Sequence, residues 1–269
     1  MPNILPLRAW IVGRLARLGA ARASHHGLLD RFRPFRRGVV LATASLAVAM
    51  VLAAPPDRAR AQARAAAPAG APAESAAALA ARLQARYDAI KDFTADFSQT
   101  YEGGVLRRKT TESGTLLVKK PGRMRWEYKT PEEKLFVADG RKLYAWVPAD
   151  RQVTVSALPS GDAPATPILF LLGRGQLTRD FTPSLPGAIA GAPPDSVAVA
   201  LVPKTPVPEY DRLTLVVDRA SLGLRMLIAT DGQGGTSTFV FTHLRENVGL
   251  PDAKFAFTIP RGADVVAQD

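Results

Sequence analysis

The sequence predicts a mainly β fold of the α+β kind: an incomplete antiparallel β-barrel or strongly curved sheet, with one or two helices. Three observations predict it. Beyond one helical segment near residue 80, apolar residues recur at every second position, segment after segment. Turn residues such as Gly103-Gly104, Pro121-Gly122 and Asp139-Gly140 divide these segments at short intervals. About ten short strands with so few helices bury one face each most readily in a curved antiparallel sheet.

The chain has 269 residues, 47% apolar and 22% charged, with no Cys. That length supports a sizeable core. Absent cysteines exclude thiolate catalysis, Cys-ligated zinc, disulfides and an acylated N-terminal cysteine. The formal charge of +11 points to nucleic acid until its position is considered. Residues 1–61 hold ten Arg and two acids, a net +8, leaving +3 for 62–269. The body is near neutral, and no nucleic-acid partner is expected.

The excess charge belongs to a leader. RFRPFRR (Arg31 to Arg37) precedes the uncharged run Gly38 to Ala54, then Pro55-Pro56 and the small-x-small site Ala59-Arg60-Ala61. Basic, apolar and small-residue regions in that order describe a secretory signal over 1–61, with a long basic start. An uncleaved anchor is the rival reading, but Ala and Val dominate the run, and the cleavage site favours removal. Residues 62–73 are an Ala/Pro-rich linker, leaving 74–269 as one exported periplasmic domain, expected to be a monomer.

In that domain Leu79, Leu83, Tyr87 and Ile90 share one side of a helix beginning near Glu74-Ser75. Phe93, Ala95 and Phe97 then alternate with polar residues, and Leu116 and Val118 continue the pattern. In Arg123 to Lys129 (RMRWEYK), Met124, Trp126 and Tyr128 oppose Arg123, Arg125, Glu127 and Lys129, giving one apolar and one wet face. Asp139-Gly140 joins LFVA to KLYAWV as a hairpin, and Val153 and Val155 follow. Alternation breaks over 157–180, where Ile168-Leu169-Phe170-Leu171-Leu172 reads as a short helix or apolar flap. Strands resume at Val197–Val202, Arg212–Asp218, Leu224–Thr230 and Thr236–Thr242, and Phe255, Phe257 and Ile259 close the series. The proline-rich stretch 183–194 reads as a loop.

Catalytic signatures are missing. The sequence has no G-x-S-x-G, no H-E-x-x-H, no P-loop and no dinucleotide fingerprint. His243 is the single histidine of the domain, beside a Phe-rich strand, and reads as surface or packing. Glu132-Glu133 and Arg107-Arg108-Lys109 read as exposed turn charges. No enzyme activity, cofactor or metal is expected. The apolar faces of the helix and flap either plug the concave side or cover a cavity for an apolar ligand; periodicity leaves both open.

Several strings together resemble a known family. F-x-A-x-F-x-Q (Phe93 to Gln99), G-T-L-L-V-K-K-P (Gly114 to Pro121), R-W-E-Y with Pro131, L-F-V-A-D-G-R-K-L-Y (Leu135 to Tyr144), T-P-I-L-F-L-L (Thr166 to Leu172) and K-F-x-F-T-I-P-R-G-A-D-V (Lys254 to Val265) occur in the order of the periplasmic lipoprotein carrier LolA. The resemblance spans about 75–267. It implies an incomplete barrel with helices as a lid over a hydrophobic cavity. It also implies a role as carrier, taking acylated lipoproteins from an inner-membrane ABC release complex to an outer-membrane acceptor, without covalent chemistry.

By that pattern Met124 stands at the cavity entrance and Trp126 deeper, with Leu116, Val118 and Tyr128 on the same apolar surface. Ile168, Leu169, Phe170, Leu171 and Leu172 are lid residues, and Lys120 is a latch bonding the lid near Leu171-Leu172. Where some carriers have Arg, Lys120 lacks the planar fork that makes two directed bonds, so the latch is weaker or relies on another group. Two other readings stay open: a lipid-sensing regulatory module of the same architecture, and a periplasmic hydrolase with dispersed acids.

Overall fold

The computed structural model describes residues 74–103, 108–158, 175–208 and 210–268. The leader, the linker, the tip residue Arg107 and the apolar run Ile168–Leu172 lie outside them.

Helix α1 (Ala76–Asp88) starts where Ser75 accepts a hydrogen bond from the Ala78 N–H, 3.2 Å, in ordinary N-cap fashion. Its inner face buries Leu79, Ala80, Leu83 and Gln84. Twelve strands follow: β1 (Asp92–Gly103), β2 (Arg108–Lys119), β3 (Arg123–Thr130), β4 (Lys134–Asp139), β5 (Lys142–Val147), β6 (Gln152–Ala157), β7 (Phe181–Ser184), β8 (Ser196–Pro203), β9 (Arg212–Asp218), β10 (Leu224–Thr230), β11 (Thr236–Glu246) and β12 (Asp264–Gln268). A one-turn helix, α2 (Leu177–Asp180), precedes β7.

All twelve strands form one open sheet in the order β12-β6-β5-β4-β3-β2-β1-β11-β10-β9-β8-β7. Every neighbour is antiparallel except β12, which runs parallel to β6. The sheet is therefore larger than the ten antiparallel strands expected. The additions are short or late: β7 takes in Pro183 from the stretch read as a loop, and β12 follows the positive-φ Gly262. As an edge strand, β7 tolerates proline because its outer N–H has no ladder partner to lose.

The Phe255–Ile259 segment is not a strand. Asp252–Phe255 forms a 3-10 turn against β3 and β4, burying Phe255, and Phe257 rests on Tyr144 with ring centroids 5.2 Å apart. Its alternating aromatics brace the sheet's second face, where Val137 and Val153 are also buried, so the two-residue period arose without strand pairing.

The main core lies on the other face. Phe93, Ala95, Phe97 and Gln99 of β1 point into it, as do Leu116 and Val118 of β2 and Phe239 and Phe241 of β11. Gly114 shows how tightly β2 and β3 approach: an added Cβ would stand 1.7 Å from the Glu127 carbonyl oxygen and 3.0 Å from the Phe97 ring.

Candidate functional site

The strand RMRWEYK turns its apolar residues inward as alternation requires. Met124, Trp126 and Tyr128 are buried with Leu116 and Val118, so the five predicted lining residues come together. They form a filled wall. Phe97 meets Trp126 at 5.5 Å and Tyr128 at 4.9 Å, both edge-on, and Trp126 also packs edge-on against Phe239 at 5.3 Å. Met124 has no exposed surface. At the end of this wall the Tyr128 hydroxyl donates to Gln99 Oε1, 2.7 Å. Beside it lies a buried ion pair, Lys134 with Glu112. Burial, with the Glu112 charge adding to it, pushes the Tyr128 phenol well above its ordinary pKa.

Open space lies to one side, under α1. An apolar hollow is walled by Leu83, Tyr87 and Ile90 from the helix end, Phe93 from β1, Leu215 and Val217 from β9, and Leu222, Leu224 and Leu244 opposite. Counted with its mouth it encloses about 470 Å³ of empty space, but its water-sized interior is only about 40 Å³. Sequence reasoning named Leu83, Tyr87, Ile90 and Phe93 as inward-facing and did not connect them with β9–β11, because only tertiary pairing brings them together.

A bulge sets the far wall. His243 on β11 has φ +50°, and Thr94 and Asp96 of β1 pair with Arg245 and Thr242, leaving two β11 residues opposite one. Inward positions thus pass from Phe241 to Leu244 and Glu246. His243 itself is exposed and lies 2.9 Å from Asp96 Oδ2, a surface role, as its position suggested.

Polar groups fasten the helix over the hollow from two sides. Lys120 Nζ donates to the Tyr87 carbonyl and sits 4.0 Å from that ring's centroid. The backbone N–H of Lys120 also donates to the Lys91 carbonyl, 2.8 Å. Burial lowers the Lys120 pKa, while Asp88 opposes the shift. Leu171 and Leu172 lie outside the described residues; the Lys120 contact that is described reaches the end of α1. Across the mouth, Arg86 pairs with Glu246, and its Nε donates to the Ser221 carbonyl at 3.2 Å. The directed fork that Lys120 lacks is thus present on Arg86, which the sequence gave no reason to single out.

A third tie is buried: Gln84 Oε1 accepts from the Leu177 N–H at 2.8 Å, joining α1 to α2. Among the described residues no group of three or more His, Asp or Glu is placed to hold a metal ion, and no helix is long and apolar enough to cross a membrane.

A curved open sheet with a helix tied across an apolar hollow defines a half-barrel fold. The family model described as outer membrane lipoprotein carrier protein LolA matches residues 88–258, and the chain belongs to that family. A protein of Cupriavidus pinatubonensis named outer-membrane lipoprotein carrier protein is 32% identical over 168 residues, 62% of this chain and 76% of the relative. One of the same name from Pseudomonas syringae pv. syringae is 32% identical over 169 residues, again 62% and 76%. A solved LolA superfamily protein from Nitrosomonas europaea overlaps 69% of this chain and 99% of its own, at 15% identity and TM-score 0.38.

Proposed function

We propose that this protein is a soluble periplasmic carrier that takes the acyl chains of lipoproteins from an inner-membrane ABC release complex and delivers them to an outer-membrane acceptor. The observation that carries the reading is the leucine-walled hollow under α1, closed by a few polar contacts around Lys120 and Arg86. Family membership and the names of relatives in two genera support it.

Burying ten methylenes is worth about 8 kcal/mol at ~0.8 each, whereas one hydrogen bond contributes about 1 kcal/mol net. An entering chain therefore outweighs the fastenings, and their re-formation helps expel it. Lys120 acts as a latch, Ile168 to Leu172 complete the lid, and the surface around Leu116, Val118, Met124, Trp126 and Tyr128 receives the chain as the core opens. The leader 1–61 directs export, and the linker 62–73 is a spacer before the carrier domain.

The test is to add purified 62–269 to spheroplasts that display acylated lipoproteins and retain a working release complex. A soluble complex of carrier and lipoprotein is expected. No release would reject the reading, and stable capture of one membrane regulator without release would favour the sensing alternative.

A further inference from the structure

Among the described residues, Trp126 Nε1 is buried and has no hydrogen-bond partner. Buried indole N–H groups usually find an acceptor, and leaving one without destabilises the fold. The sheet is able to satisfy such groups here, since Tyr128, two residues along the same face, gives its hydroxyl to Gln99. A second unpartnered group lies on β11. Ser237 Oγ, on an inward position of β11 and 1% exposed, likewise has no partner. Both adjoin Phe239: Trp126 packs on its ring at 5.3 Å, and Ser237 is two residues along the same strand face. Phe at 126 and Ala at 237 would serve a permanently closed core without an orphaned donor.

We propose that Trp126 Nε1–H, with Ser237 Oγ two positions from Phe239 on β11, supplies the hydrogen-bonding subsite for the carbonyl oxygens of an ester- or amide-linked acyl group. This rests on the acyl-binding reading above and adds what that reading lacks: which end of the ligand goes where. The hollow begins at Phe93, and the Trp126 ring meets β1 at Phe97, four residues further along the same face. That is about 13 Å of strand. Methylenes occupy the leucine-walled end under α1, and the polar linkage rests at the Trp126–Ser237 end. Lid opening that admits a chain brings an acceptor to both groups and removes their desolvation penalty only when the ligand carries carbonyls.

The experiment compares two probes with identical chains, dipalmitoylglycerol and its dihexadecyl ether analogue, which has no carbonyl oxygens. The purified protein should bind the ester about tenfold more tightly, the effect of about 1.4 kcal/mol. Trp126→Phe should abolish that preference, leaving ester and ether probes bound with equal affinity. The wild-type comparison needs no variant, and the ester carbonyl stretch should move to lower frequency in the complex, so a poorly folding Trp126→Phe leaves the idea testable.

An N-acylated diacylglyceryl-cysteine lipopeptide and phosphatidylethanolamine separate the sources. Equal weakening of both by Trp126→Phe assigns the shared glyceryl esters, and weakening of the lipopeptide alone assigns its N-acyl amide; either supports the subsite. Equal ester and ether affinities in wild type overturn it but leave the carrier reading standing. Binding of no acyl probe overturns both.

Discussion

The carboxylate of Asp92 accepts three successive backbone N–H groups, from Val248 at 2.7 Å and from Gly249 and Leu250 at 3.2 Å. Its own carbonyl takes a fourth, from Asn247 at 2.7 Å. Asp92 is 5% exposed, so its removal leaves these N–H groups without their carboxylate in a buried place. Asp92→Ala should lower the unfolding free energy by about 3 kcal/mol, read as a reduced urea midpoint at unchanged slope. Gly114→Ala should cost about 1–3 kcal/mol by overpacking, because its Cβ would press on the backbone of β3. An undisturbed midpoint in either variant would reject these local accounts. Met124, Trp126 and Tyr128 were legible as one inward face because strand alternation is local. Asp92 was not: its partners lie more than 150 residues away, and one acid beside a strand start looks like any other.

Helix α1 was legible as an element from Leu79, Leu83, Tyr87 and Ile90, and its fastening through Arg86 was not. Two groups hold its end from opposite sides, Lys120 on the Tyr87 carbonyl and Arg86 on Glu246 and the Ser221 carbonyl. Neither belongs to the buried core, so removing them should loosen the helix without melting the sheet. Lys120→Leu and Arg86→Leu should each speed hydrogen exchange of the 79–90 amides about fivefold to tenfold, with β1–β3 amides unchanged. The effects should combine in the double variant, because the contacts share no partner. Unchanged exchange in the double variant would remove both from the closing of the hollow. Among strands, those whose alternation reflects pairing were readable. At Phe255–Ile259 the same pattern serves to cover a sheet face, and β7 and β12 are too short to carry a period of their own.

For the molecule as a whole, the apolar hollow under α1, taken among the described residues, lacks space for its proposed cargo. Its interior of about 40 Å³ has room for about three waters at about 10–15 Å³ each. The predicted lining residues Leu116 to Tyr128 are packed against neighbouring side chains, so a chain that reaches them displaces part of this packing. Whether a concave face is plugged or hollow depends on how side chains from distant strands fill it, which is why periodicity left the matter open. Loading should therefore be a conformational step: with the diacylglyceryl lipopeptide bound, α1 amides should exchange faster while amides of β1–β3 exchange more slowly. Chain burial should give a negative heat-capacity change in calorimetry. At 100 times its dissociation constant the ligand should add about 2.7 kcal/mol to the unfolding free energy. Fastening energies near 1 kcal/mol each are small beside the burial term, so the double Lys120 and Arg86 variant should bind the lipopeptide more tightly than wild type and release it more slowly. If that variant binds with unchanged affinity, the energy of closing the helix is not what drives the cargo out.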